Sequence, residues 1–220
     1  MIGYVVAFWT QAVLDNLDLQ GRIGFGRPHS RRAEDRAEGF DEVDLWMLDR
    51  PSKDDSHRPQ WPFTPFVHVG PLSFGMTHDD VVNAMGGADH RELRDHGGAC
   101  HLEFAANGVN AYFDVQVGLA CVAVDAFTGP QVLAPGGFAL VGRPPSQVKP
   151  WFTGQLDAFD TYCVVNEYMD AGIEELGLIM RTQHGGDINL TRPVFVARAW
   201  VDMFMHTEEG RIPVMEWRNV

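Results

Sequence analysis

The chain reads as an α+β protein: an antiparallel sheet with helices packed on one face, arranged as two related modules in tandem. Three observations predict this. Short apolar runs separated by Gly, Asn or Pro occupy the length from Phe66 onward; one segment carries complete start and stop signals for a helix; and a glycine-punctuated stretch recurs 67 residues further on. The pattern divides the chain into residues 1–65, a first module at 66–135 and a second at 136–220.

The first division opens with a strand-like run, Gly3 to Trp9, and a short helix that leads into GRIGFG at 21–26. Residues 27–58 then hold 16 charged side chains, seven positive and nine negative, within which 34–48 form one amphipathic helix despite Gly39. Four prolines between Arg50 and Pro65 mark an irregular connection.

In the first module the runs FVHVG, ACHLEF, VNAYFDV and LACVAVDAF are the strands. Val109, Ala111, Phe113 and Val115 alternate with Asn110, Tyr112 and Asp114, which places one row on a core and the other toward solvent. Thr77 caps a helix whose first turn holds Asp79 and Asp80; Val81, Val82 and Met85 are its apolar side, and Gly86-Gly87 end it.

At the 67-residue offset Gly70 meets Gly137, Gly75 meets Gly142, Val81 meets Val148, Met85 meets Phe152 and Gly87 meets Gly154. Ser146 reads as the second helix's N-cap, and Pro150 predicts that this helix stops after about one turn. HGGDIN at 184–189 reads as a hairpin loop, and PVFVARAWVDMFM as a final strand. In that strand Phe195, Ala197, Ala199, Val201 and Met203 share one face, and Val196, Arg198, Trp200, Asp202 and Phe204 the other.

The stretch FGMTHDDVVNAMG resembles the G-M-T-x-x-x-V-x-x-x-x-G module of the β-lactamase inhibitor protein and of small outer-membrane assembly lipoproteins, with Gly75, Met76, Thr77, Val81 and Gly86 at the matching positions. The resemblance implies a turn and helix preceding a small antiparallel sheet, and a tandem of modules whose sheet forms a concave, aromatic-rich binding surface. Members of that family are exported and lack a charged segment like 27–58, so what it implies here is a binding scaffold of the immunity or inhibitor type.

Composition narrows the function classes. With 17 Lys+Arg against 30 Asp+Glu the net charge is −13, which speaks against nucleic-acid binding and favours a basic protein partner. Asp15 and Asp18 follow the apolar N-terminal run, no basic residue precedes it, and no run reaches the length of a bilayer span; a cytoplasmic chain without a membrane partner is expected. Cys100, Cys121 and Cys163 suit buried thiols.

Partner contact is assigned to Tyr112, Asp114, Arg198, Trp200, Asp202 and Phe204, aromatic and charged side chains on the solvent row of the sheet, unless a helix at 31–48 covers them. No catalytic residue, metal ligand or cofactor is assigned. His90, His96 and His101 have spacings unlike a helical ligand pair, and Cys100 and His101 point to opposite strand faces. Ser73 and Ser146 lack a nucleophile elbow, GRIGFG lacks the dinucleotide spacing, and Asp157, Asp160, Glu167, Asp170, Glu174 and Glu175 read as a solvated acidic surface. The sequence therefore predicts a non-catalytic protein that neutralises a toxin or enzyme. A hydrolase using Asp and His, with or without a metal, and a structural subunit of a bacterial assembly are the alternatives.

Overall fold

The computed structural model describes residues 55–94, 100–207 and 210–218. The strand and helix expected within 1–26, the helix expected at 34–48 and His96 lie outside them. The described chain is α+β. An eight-stranded sheet has the order β4-β5-β6-β7-β12-β11-β10-β9, formed by β4 (Arg91–Arg94), β5 (Cys100–Phe104), β6 (Val109–Asp114), β7 (Gly118–Val124), β9 (Val164–Val165), β10 (Ala171–Ile173), β11 (Leu178–Gly185) and β12 (Ile188–Val196). All its pairings are antiparallel. A smaller sheet has the order β3-β2-β1-β8, in which β1 (Gln60–Thr64) pairs with β2 (His68–Val69) and runs parallel to β8 (Gln131–Leu133), and β3 is Leu72–Ser73.

Helix α1 (His78–Ala84) forms where its signals place it. The Thr77 hydroxyl accepts from the Asp80 N–H and the Thr77 N–H donates to the Asp80 carboxylate, a reciprocal cap. Gly86 and Gly87 follow with φ of +71° and +68°, conformations that glycine adopts without a Cβ clash.

Helix α2 corrects the expectation of a single turn. It runs through 15 residues, Pro145–Phe159, with Pro150 inside, and its N-cap is Pro144 with no side-chain hydrogen bond, so Ser146 lies in the first turn and is not the cap. Val148, Phe152 and Leu156, four residues apart, are all buried. Burying each is worth about 1.5–3 kcal/mol, which together exceeds the ~3 kcal/mol that an interior proline costs.

The order of elements after each helix is the same: two strands, a 3-10 turn closed by a left-handed glycine (Gly108, φ +63°; Gly177, φ +58°), and two further strands. Ahead of each helix another left-handed glycine, Gly75 or Gly142, donates its N–H to a strand carbonyl, of Leu119 and Thr191 respectively, both at 2.9 Å. Those two residues return N–H bonds to the carbonyls of Met76 and Arg143, both at 2.8 Å. The last strands of the two series, β7 and β12, pair with each other at the middle of the sheet.

The sheet has two covered faces. Toward α1 and α2 lie Leu102, Phe104, Val109, Ala111, Phe113, Leu119, Val122, Leu178, Met180 and Phe195. Toward the opposite side lie Tyr112, Ala120, Cys121, Ala123, Ile179, Val194 and Val196. A bulge in β7 sets Tyr112 against Cys121 and Phe113 against Leu119, leaving Ala120 extra, which is why Ala120 and Cys121 share a face. Gly185 and Ile188 close the β11–β12 hairpin through Gly186, so HGGDIN is a hairpin turn as expected.

The C-terminal strand expectation is corrected. Pairing ends at Val196; Arg198–Met203 form a 3-10 helix and Val214–Arg218 the short helix α3. This segment folds back over the second face, where Trp200, Phe204, Ile212 and Trp217 join the sheet residues in one buried cluster. Continuing as a strand would leave Trp200 and Phe204 wet, whereas folding back buries apolar area of the order of 150–250 Å² on each. Helical elements therefore cover both faces, the longer two on one side.

Candidate functional site

The six side chains assigned to partner contact gather at this C-terminal cover, but not as an exposed row. Tyr112, Trp200 and Phe204 are at most 3% exposed. The Trp200 Nε1–H donates to the Asp114 carboxylate at 3.1 Å, and the other Asp114 oxygen accepts from the backbone N–H groups of Gln116 and Val117. These backbone bonds, followed by the Trp200 bond and the Arg211 charge, hold the Asp114 carboxyl below its ordinary range despite partial burial. Arg211 stands 3.8 Å from both Asp114 and Asp202. Arg198 is exposed, with its guanidinium 3.5 Å over the ring of Phe66. Val115, expected in the core, is fully exposed in the turn after β6. The face expected to meet solvent is occupied by the chain itself.

Beneath the cover is an ionic cluster that sequence patterning did not single out. Arg181 of β11 and Arg192 of β12 are directly opposed, and both side chains are almost fully buried. Like charges so placed repel. Glu216 of α3 resolves this: its carboxylate, fully buried, accepts from Arg192 at 2.7 and 2.9 Å, from Arg181 at 3.3 Å and from the Tyr112 hydroxyl at 2.5 Å. Arg181 also donates to the carbonyls of Glu216 and Trp217 and to Asp170, and its guanidinium lies 5.0 Å from the Trp217 ring. It thereby satisfies carbonyls that a helix terminus leaves without intrahelical partners. Burial, then the neighbouring Glu216 charge, pushes the Tyr112 phenol well above its usual range. The only available signal was an arginine within each of two apolar strand runs, LIMRT and TRPVF.

Asp170 is raised by burial, which outweighs the Arg181 charge and the Asn166 hydrogen bond. Asp125 is also largely buried, yet hydrogen bonds from Gln183 and from the Thr128 backbone and hydroxyl hold it below its ordinary value. Asp157, Asp160, Glu167 and Glu174 are exposed, while Glu175 is half-buried.

A second constellation lies at the outer corner of α1, β4 and β5. The Nε2 of His78 is 3.2 Å from the Cys100 Sγ, and that thiol lies 3.4 Å from Glu92 Oε1, which Arg94 also contacts at 2.7 Å. His78 stacks on Phe113 at 3.8 Å. Sequence adjacency had drawn attention to His101; the helix supplies the actual neighbour, 22 residues upstream. Desolvation, then the hydrogen bond to Glu92, raises the Cys100 thiol above its ordinary value, which favours the protonated form over a nucleophilic thiolate. His90 lies tilted against Phe104 on the helix side of the sheet, whereas His101 is buried on the other side against Tyr112, so these two histidines do not converge. Among the described residues no group of three or more His, Cys, Asp or Glu side chains is placed to hold a metal ion. Between α2 and β10–β12 a narrow cleft lined by Val148, Phe152, Met180 and Thr191 has room for about one water.

No family model matches the chain, and no match to a curated protein or to a solved structure reaches significance. No described helix is long and apolar enough to cross a membrane.

Proposed function

We propose that the chain is a non-catalytic protein-binding protein of the immunity or inhibitor type, which neutralises a basic toxin or enzyme, and that its sheet arose from two copies of one helix-plus-strands module. The observation that carries this reading is the recurrence of the same elements after each helix, with equivalent glycine N–H bonds at Gly75 and Gly142, joined through β7 and β12. That layout agrees with the tandem binding scaffold implied by the GMT motif. The net charge of −13 would steer the chain toward a cationic partner. The buried charges support the same reading, because Arg181, Arg192 and Glu216 are committed to holding the C-terminal segment. His78 and Cys100, outside the Asp and His set of the hydrolase alternative, would form a base–nucleophile pair, but Glu92 beside the thiol works against its ionisation.

Co-purification with the product of the adjacent gene tests the proposal. A complex that elutes together at low salt and suppresses the partner's activity is expected. Separate elution at low salt, or turnover of a substrate by the isolated chain, would overturn it.

A further inference from the structure

The two edges of the eight-stranded sheet differ. Edge strand β4 carries Arg91, Glu92 and Arg94, all exposed and paired in surface ion pairs. Charged side chains of this kind are how proteins discourage strand addition. Edge strand β9 is Val164–Val165, without a charge, and among the described residues no strand lies outside it. Its own geometry presents a free rung. The Asn166 N–H bonds the Asp170 carbonyl at 3.2 Å, and hydrogen bonding alternates along antiparallel strands. The N–H and C=O of Val165, opposite Ala171, therefore point away from β10.

Among the described residues, the exposed aromatic side chains lie on the flanks of β9. Phe159, Tyr162 and Tyr168 are 44%, 63% and 50% exposed, three such residues within ten positions of one edge. From Pro150 to Met180 the chain holds six carboxylates and no Lys, Arg or His. Of these, Asp157, Asp160, Glu167 and Glu174 are exposed, and Asp170 is spent on Arg181. An unprotected strand edge, aromatic faces and unopposed negative charge together fit one kind of occupant: an extended segment carrying Lys or Arg. Backbone bonds would supply register, the rings would receive the cations, and the carboxylates would raise the association rate. A second copy of this chain is disfavoured because it would bring the same negative charge to the contact.

We propose that the β9 edge, with Phe159, Tyr162 and Tyr168, is the docking surface for a basic β-strand of the partner protein. This rests on the binding reading above and names its surface. The test uses the full chain and a synthetic peptide of alternating Lys and Val, seven residues long, with its Glu-for-Lys counterpart as control. Amide resonances are followed by NMR during titration at low salt, and affinity by calorimetry. The Lys peptide should shift the amides of residues 162–168, and the Glu peptide should not. Val165→Pro removes the outward N–H and also the half-buried Val165 side chain, so Val165→Ala is its packing control. Val165→Pro should bind at least tenfold more weakly than Val165→Ala, and Tyr162→Lys at least tenfold more weakly than the unaltered chain. Absence of binding, equal binding by the Glu peptide, retained binding by Val165→Pro, or concentration-dependent dimerisation through β9 overturns the proposal. A neighbour-gene partner that still binds the Val165→Pro variant at full strength would sink this surface while leaving the binding function standing.

Discussion

The carboxylate of Glu216 accepts three hydrogen bonds from the Arg192 guanidinium, at 2.7, 2.9 and 3.0 Å, in a site that water does not reach. The contact ties the last described helix to the middle of the sheet and, together with Asp170 on Arg181, neutralises two opposed arginines. It makes the C-terminal cover part of the fold.

Glu216→Gln should destabilise the chain by about 3–5 kcal/mol in urea unfolding, since removing one partner leaves buried charge uncompensated. Replacing Arg181, Arg192 and Glu216 by Met, Leu and Met together with Asp170→Asn, which removes the buried carboxylate paired with Arg181, should cost less than the single change, because the cluster then holds no stranded charge. A single-variant loss below about 1 kcal/mol, the range of exposed pairs, would contradict the clamp.

Asp125 and Asp170 should give opposite pH slopes. Asp125 is held below its unfolded value, so the folded state binds fewer protons; its contribution is present above the unfolded pKa of about 3.9 and is lost as pH falls through the folded value. Asp170 is raised, so the folded state binds more protons, and stability falls as pH rises from about 3.9 through its folded value. Denaturant unfolding of Asp125→Asn and Asp170→Asn across pH 3 to 7 reads both signs against the unaltered chain. Parallel slopes would refute the assignment.

Gly142→Ala should be far more costly than Gly136→Ala. Both residues have positive φ, +66° and +89°, a conformation worth about 1–2 kcal/mol against an L side chain. A Cβ on Gly142 would also stand 2.6 Å from the Ala126 carbonyl oxygen, while one on Gly136 meets open space. Thermal melts should place Gly136→Ala within that strain range and Gly142→Ala beyond it.

Cysteine reactivity separates three environments. Cys121 is fully buried, and burial pushes the Cys163 thiol up to about 11. Cys100 is half-exposed and raised by desolvation and by Glu92. Iodoacetamide labelling read by mass spectrometry should therefore begin at Cys100, slowly at neutral pH and faster as pH rises. Glu92→Gln should move that profile to lower pH. Faster labelling of Cys163 would contradict these environments.

Much of the sheet could be read locally. The capped helix after Thr77, the hairpin at HGGDIN and the row Val109, Ala111 and Phe113 depend on interactions within a few residues, and they appear where the pattern places them. Helix α2 did not, because Pro150 is a local penalty outweighed by burial of Val148, Phe152 and Leu156 against distant strands. Tyr112, Trp200 and Phe204 have the composition of an interface, and burial under the chain's own end uses the same chemistry as burial under a partner.

The sequence alone determined the α+β class, the glycine turns and the acidic balance, because periodicity, backbone freedom at glycine and charge are properties of short segments. Only the tertiary structure decided which face of the sheet is closed, that Arg181 and Arg192 share Glu216, and that His78 is the neighbour of Cys100. Those relations join residues from 22 to more than 100 positions apart. They depend on strand order and on how the chain end folds back, which local pattern does not encode.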